Sequence, residues 1–275
     1  MNTDSVGSFL LLILPAAVFA LIFHRSWRDG ELHAAALAGC CAGALATVPV
    51  KFFAYPMISQ LLGDDLSNLA AGGGGFPMKV ASCIGLIGPI EETAKWCAAV
   101  GAVLLLKLEC RAAAVFLAAT GAGVGFSVVE NLDYLSAYGP EVLFARSLFS
   151  TCGHVLFAGV AGFGTAIALS SARSSGRRLA VRGYTGMIAA LFLAAFLHGM
   201  FNLIAFGLSI ERSLPSLAFC LIAGLILLRE GWIRVLVFDA NSAVSLSWEC
   251  AGCGLRSVGV ERFCPECGGR VSVRA

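Results

Sequence analysis

The sequence predicts an all-α polytopic membrane protein, with about seven transmembrane helices followed by a small cytoplasmic zinc ribbon. Three observations carry this. Of 275 residues, 58% are hydrophobic and only 13% charged, where a soluble domain carries roughly 25% charged residues. Long apolar runs recur along the chain, and a spanning helix needs about 20 such residues. Cysteines in CxxC pairs crowd the C-terminal tail.

Seven apolar runs follow in order: Val6–Phe23, His33–Val50, Val80–Leu106, Ala112–Tyr138, Val142–Ser170, Tyr184–Leu208 and Leu214–Phe238. The first has no Lys or Arg before it, and Arg25 and Arg28 after it. That is the pattern of an anchor with its N-terminus outside, not of a signal peptide. Basic residues then gather on alternate connections: Lys107 and Arg111, and Arg173, Arg177, Arg178 and Arg182. The opposite connections are poorer in them, and Gly63–Met78 carries Asp64 and Asp65 with no Lys or Arg. Positive charge stays inside, so the expectation is a multi-pass protein of the cell membrane, N-terminus outside and C-terminus cytoplasmic. Gly72–Gly75, four glycines in a row, will not hold a helix and belong to the longest external loop. The apolar stretch Lys51–Leu62 is broken by Pro49 and Pro56. It either extends the second helix with a kink or lies on the outer interface.

Residues 1–240 read as the membrane domain and 241–275 as a separate module. The module runs Cys250-Ala-Gly-Cys253-Gly, nine residues, then Cys264-Pro-Glu-Cys267-Gly. Cys250, Cys253, Cys264 and Cys267 supply four thiolates for a structural, tetrahedral zinc, and the glycines permit the tight turns beneath it. Such a site is closed and leaves no position for catalysis, while the metal stabilises a unit too small to fold on its core alone. Arg256, Arg262, Arg270 and Arg274 face Glu249, Glu261 and Glu266. With the zinc–thiolate centre counted, no basic face emerges, so no nucleic acid is expected. A cytoplasmic protein partner is the expectation for the ribbon.

Charged side chains at mid-bilayer cost about 2.5–3.5 kcal/mol each on insertion scales, so they face the bundle interior and mark function. The third run carries Glu91, Glu92 and Lys95, the fourth Glu130 and Asn131, the fifth His154, and the sixth His198 and Asn202. Counting about 1.5 Å per residue from the outer helix ends places the carboxylates and imidazoles at depths of roughly 12–18 Å, a single layer. Glu91 and Lys95 share a face at i,i+4, as do His198 and Asn202. Gly121, Gly123 and Gly125 allow the fourth helix to approach a neighbour closely. These groups suit hydrolysis of a peptide bond in a wet intramembrane cavity. A Glu would act as general base on water, with His and Asn donors for the oxyanion. A structural ion pair between Glu and Lys, and a clamp of Glu130–Asn131 on Arg146, are the bland alternatives. A proton-coupled carrier and a non-catalytic membrane scaffold are the competing functions.

At these residues the chain resembles the PrsW family of intramembrane proteases, and more distantly the CAAX prenyl endopeptidases. Glu91-Glu92-Thr93-Ala94-Lys95 matches the family's Glu-Glu-x-x-Lys helix, and Phe126 with Glu130-Asn131 its Phe-x-x-x-Glu-Asn helix. His154 and His198 match the later histidines, in the right order. The prenyl endopeptidases carry His at the position of Glu130. The resemblance implies a glutamic-type or metal-dependent protease, the latter with Glu and His on a catalytic zinc. It also implies as substrate a membrane-anchored protein, in the best-known role an anti-sigma factor, cut toward the outer face.

Overall fold

The computed structural model describes residues 29–108, 111–174, 177–207 and 210–245. In the tail it describes 247–250, 252–253, 256–258, 266–267 and 271–274. The expected first span Val6–Phe23 and Cys264 lie outside the described residues. The helices are α1 (Gly30–Leu62), α2 (Leu66–Ala71), α3 (residues 75–105), α4 (Ala112–Tyr138), α5 (residues 141–174), α6 (Arg177–Gly207) and α7 (Ile210–Ser245). Among the described residues, four helices are long and apolar enough to cross a membrane: Gly30–Leu62, Ala112–Tyr138, Glu141–Leu169 and Gly183–Phe206. The chain is a membrane protein built of helices, because only a helix or a closed barrel satisfies every backbone group in hydrocarbon.

The structure decides the two-way reading of Lys51–Leu62 in favour of extension. α1 runs unbroken from Gly30 to Leu62 and takes π-helical geometry over Val50–Ala54. Pro49 and Pro56 bracket that segment, and each removes an N–H from the ladder, so the helix accommodates the loss by widening. α3 does the same over Ala81–Ile87, just before Pro89, and α5 over Arg146–Ser150. π turns are frequent at functional sites. Here Tyr55 directly follows the first, and Glu91 and His154 follow the other two by about a turn. Past α1 the chain turns at Gly63 (φ 71°), makes the short α2, and turns again at Gly72 (φ 113°).

α4 is the central helix, buried without interruption from Ala112 to Ser127. It packs on α1, α3, α5 and α7, and α6 closes the bundle against α3 and α5. Backbone contact through glycine sets these crossings. A side-chain carbon at Gly39 or Gly43 of α1 would overlap a carbonyl of Ala118 or Ala122, and one at Gly121 or Gly125 would overlap Ala36 or Cys40. Two interlocked small-residue stripes therefore bring α1 and α4 into contact. At the end of the bundle where α1 and α4 begin and α7 ends, Asp239 caps α4. Its carboxylate accepts from Ala112 N (2.8 Å) and Ala113 N (2.9 Å). Beside it, Arg111 donates to Asp29 (2.7 Å) and Glu31 (2.7 Å). The Arg111 guanidinium holds the Asp29 carboxyl below its ordinary value of 3.8.

After α7 come β1 (Ser247–Cys250), β2 (Arg256–Val258) and β3 (Val271–Arg274), an antiparallel sheet with β1 in the middle. Trp248 pairs with Ser257 on one side and Val273 on the other. This sheet holds the end of β1, and with it Cys250, close to the turn that carries Cys253.

Candidate active site

Helices α3 to α6 deliver the ionisable residues, and glycine sets the approach of α3 to α6 and of α4 to α5. Gly88 of α3 lies against the backbone of Ala195 in α6, and Gly199 of α6 against Cys83 and Ile84 in α3. These two contacts bring Glu91 and Glu92 beside His198. Gly123 of α4 lies against the backbone of His154 in α5, so the glycine predicted to allow close approach sits under a site residue. Glu91, Glu92, Lys95, Asn131, His154 and His198 are all buried, and Glu130 is partly so.

Lys95 lies at the centre of the network. Its Nζ donates to Glu92 Oε1 (2.5 Å) and to His154 Nδ1 (2.8 Å), and stands 3.7 Å from Glu91 Oε2. The i,i+4 partner Glu91 was the expected neighbour, but Glu92 at i,i+3 is nearer. Phe126 lies beneath the ammonium, its centroid 4.7 Å away, a cation–π contact. His154 Nε2 meets Glu130 Oε2 at 2.8 Å, and His198 Nδ1 meets Glu92 Oε1 at 2.7 Å. Lys95 can only donate and a carboxylate only accept. Neutral His154 therefore carries its proton on Nε2, and neutral His198 on Nδ1. The remaining lone pairs are on His154 Nδ1 and His198 Nε2, 3.9 Å and 3.8 Å from Glu91 Oε2.

Glu130 and Asn131 are clamped from α5. Arg146 donates to Glu130 Oε2 (2.9 Å) and Asn131 Oδ1 (3.0 Å), and Asn131 Nδ2 to Thr151 Oγ1 (3.0 Å). Arg146 also stacks over Tyr134 at 3.5 Å. The clamp reading of this pair is what the geometry contains, and through Glu130 it bears on His154. Asn202 makes none of these hydrogen bonds among the described residues. One member was missed by the sequence reading. Tyr55, on the α1 extension, donates from its hydroxyl to Glu91 Oε1 at 2.5 Å. The single cue was a tyrosine next to Pro56 in a largely apolar stretch.

Two groups of side chains are placed to hold a metal ion. Glu91, His154 and His198 bring one ligand atom each to within 4.8 Å of one another, and so do Cys250, Cys253 and Cys267. The first set fits a catalytic ion. It joins two imidazoles to a carboxylate, each ring has a carboxylate on its other nitrogen, and Glu91 Oε2 is buried without a hydrogen-bond partner. That is the donor set and outer shell of zinc hydrolases. The second set fits a structural one. Cys250 and Cys267 sulfurs lie 3.4 Å apart, too far for a disulfide. Amide donors from Cys253 and Gly252 hold the Cys250 thiol down at about 6, which favours the thiolate form that binds metal.

No curated protein and no solved structure matches the chain. The family model described as PrsW family intramembrane metalloprotease matches residues 31–228, which takes in α1 to α6 and every residue of the cluster. The chain belongs to the PrsW family of intramembrane proteases.

Proposed function

We propose that this protease hydrolyses a peptide bond in or beside the membrane segment of a membrane-anchored protein, with Glu91, His154 and His198 holding a divalent ion such as zinc. The observation that carries this is the buried Glu91 Oε2, which has no hydrogen-bond partner and stands 3.9 Å from His154 Nδ1 and 3.8 Å from His198 Nε2. The site gathers three carboxylates, Glu91, Glu92 and Glu130, and a bound cation would offset their mutual repulsion. When bound, the ion lowers the pKa of water and polarises the scissile carbonyl.

The chain's own residues do the rest. Tyr55 fixes Glu91 by Oε1 and so leaves Oε2 facing the histidines. Glu130, held by Arg146, orients His154, and Glu92 orients His198. Glu92 Oε2 is also buried and without a partner. It takes the proton of the attacking water and passes it to the leaving amide nitrogen, the work of a general acid–base. Lys95 balances the charge of Glu92.

One observation favours a second, glutamic reading. Lys95 donates into the single lone pair of His154 Nδ1, which serves an ammonium or a metal but not both. In that reading Glu91 is the base, and Lys95 donates to the oxyanion.

The topology proposed with this function has the N-terminus outside and the ribbon in the cytoplasm, supported by the basic loops. There the ribbon takes structural zinc and docks a cytoplasmic protein. An anti-sigma factor is the substrate class proposed.

The test uses the full chain in liposomes with a panel of single-span substrates, comparing wild type with Glu91→Gln, Glu92→Gln and His198→Ala. Wild type is expected to cleave and the variants to lose at least 100-fold. Two metal ions per chain are expected, falling to one in Glu91→Gln. A wild type that cleaves nothing, or variants that cleave equally, ends the protease assignment of these residues. One metal per chain with chelator-resistant cleavage selects the glutamic reading.

A further inference from the structure

A cavity of about 230 Å³ lies between α5, α6 and α7, with Gly153, Phe157, Leu197, Met200, Ala223 and Leu228 in its wall. None of its lining residues carries a charge or a strong hydrogen-bonding group. It is smaller than the about 300–1,000 Å³ of small-molecule and cofactor sites, and nothing in it would orient a polar headgroup. Its wall is also the wall of the active site. Phe157 lines the cavity and stacks on His198, with centroids 5.2 Å apart and planes 19° apart. Gly153 directly precedes His154, and Leu197 directly precedes His198. Gly153 keeps the space open, since a side-chain carbon there would stand 3.2 Å from the Phe157 ring and 3.7 Å from the Phe201 ring.

An extended chain advances about 3.3 Å per residue. A substrate held with its scissile carbonyl at the histidines therefore places a side chain one or two residues away at the level of Phe157. We infer that this cavity is the subsite that receives a large apolar side chain of the substrate beside the scissile bond, and so sets sequence preference. This deepens the protease reading and rests on it. Leu, Met and Phe fill the space without leaving a polar group unpaired. Ala leaves it empty, and an acidic residue meets no donor there.

The experiment takes a single-span substrate that the full-length wild type cleaves in liposomes, maps the cut by mass spectrometry, and varies the flanking residues among Ala, Leu, Phe and Asp. Wild type is expected to prefer Leu or Phe over Ala by about tenfold or more in kcat/KM, the range a hydrophobic pocket supplies for lost methylenes. Ala223→Phe fills the cavity from the α7 side and should lower the Leu-to-Ala ratio at least tenfold. Met200→Ala enlarges the same cavity and should move the preference toward Trp, which covers the case in which Ala223→Phe fails to fold. Indifference of wild type to the flanking residue, or an unchanged ratio in both variants, overturns the inference and leaves the cavity to a lipid chain. A wild type that cleaves no substrate fails at the earlier step and removes the protease reading with it.

Discussion

Tyr55→Phe tests the least expected member of the site. The substitution keeps the ring and its packing and deletes one hydroxyl. Among the described residues that hydroxyl is the only hydrogen-bond donor to Glu91 Oε1, at 2.5 Å. A hydrogen bond to a charged group contributes about 1.5–3 kcal/mol, and each 1.36 kcal/mol is about tenfold in rate. The expected loss in kcat/KM is therefore about 10- to 150-fold. Freed at Oε1, the carboxylate can turn its Oε2 away from His154 and His198. The zinc concentration for half-maximal activity should then rise by about 10- to 100-fold, as for other residues that orient a metal ligand. The assay is cleavage of a single-span substrate in liposomes across a zinc titration, alongside thermal unfolding in detergent. A kcat/KM within threefold of wild type, with an unchanged zinc requirement and an unchanged thermal midpoint, would refute the assigned role. A lost thermal midpoint with normal zinc affinity would mark Tyr55 as a packing residue instead.

Three further outcomes follow from the framework around the site. Gly125→Val pushes a side chain into the Cys40 carbonyl, and overpacking of this kind costs about 1–3 kcal/mol. Its thermal midpoint should fall well below that of Gly101→Ala, where nothing lies within 4 Å; equal midpoints contradict the close α1–α4 packing. Asp239→Ala removes the cap of α4 and should cost about 0.5–2 kcal/mol, read by denaturant unfolding in detergent, with Asp239→Asn recovering part of it. Asp29 has a folded pKa below its ordinary 3.8 because of Arg111. Its stabilisation is thus complete above 3.8 and is lost as pH falls through the lowered value. The difference in thermal midpoint between wild type and Asp29→Asn should be constant near neutrality and shrink on acidification; a difference that grows instead has the wrong sign.

Much of the architecture was legible because a bilayer leaves few choices. The run Ala112–Tyr138 appears as α4 with the same bounds, since an apolar run of that length has only a helix to adopt in hydrocarbon. The α3 run was equally legible despite Glu91, Glu92 and Lys95, because their cost in lipid demands a common interior. The one-layer argument therefore collected Glu91, Glu92, Glu130, His154 and His198 before any contact was known. Lys51–Leu62 was less legible. Proline weakens a helix without ending it, and only the π-helical accommodation over Val50–Ala54 carries α1 on to Tyr55.

The amino-acid sequence by itself determined the membrane class, the order of the helices, the polar residues that must face inward and the cysteine module at the end. Each follows from local composition and spacing, which hydrocarbon and metal chemistry read directly. Only the tertiary structure decided the pairings. It put Lys95 nearer Glu92 than Glu91, put Glu130 behind His154, brought Tyr55 onto Glu91, and, among the described residues, left Asn202 outside the network. Those choices depend on rotations and offsets between helices, set where glycines such as Gly123 and Gly199 let backbones touch. No periodicity within one segment records which face of its neighbour it will meet.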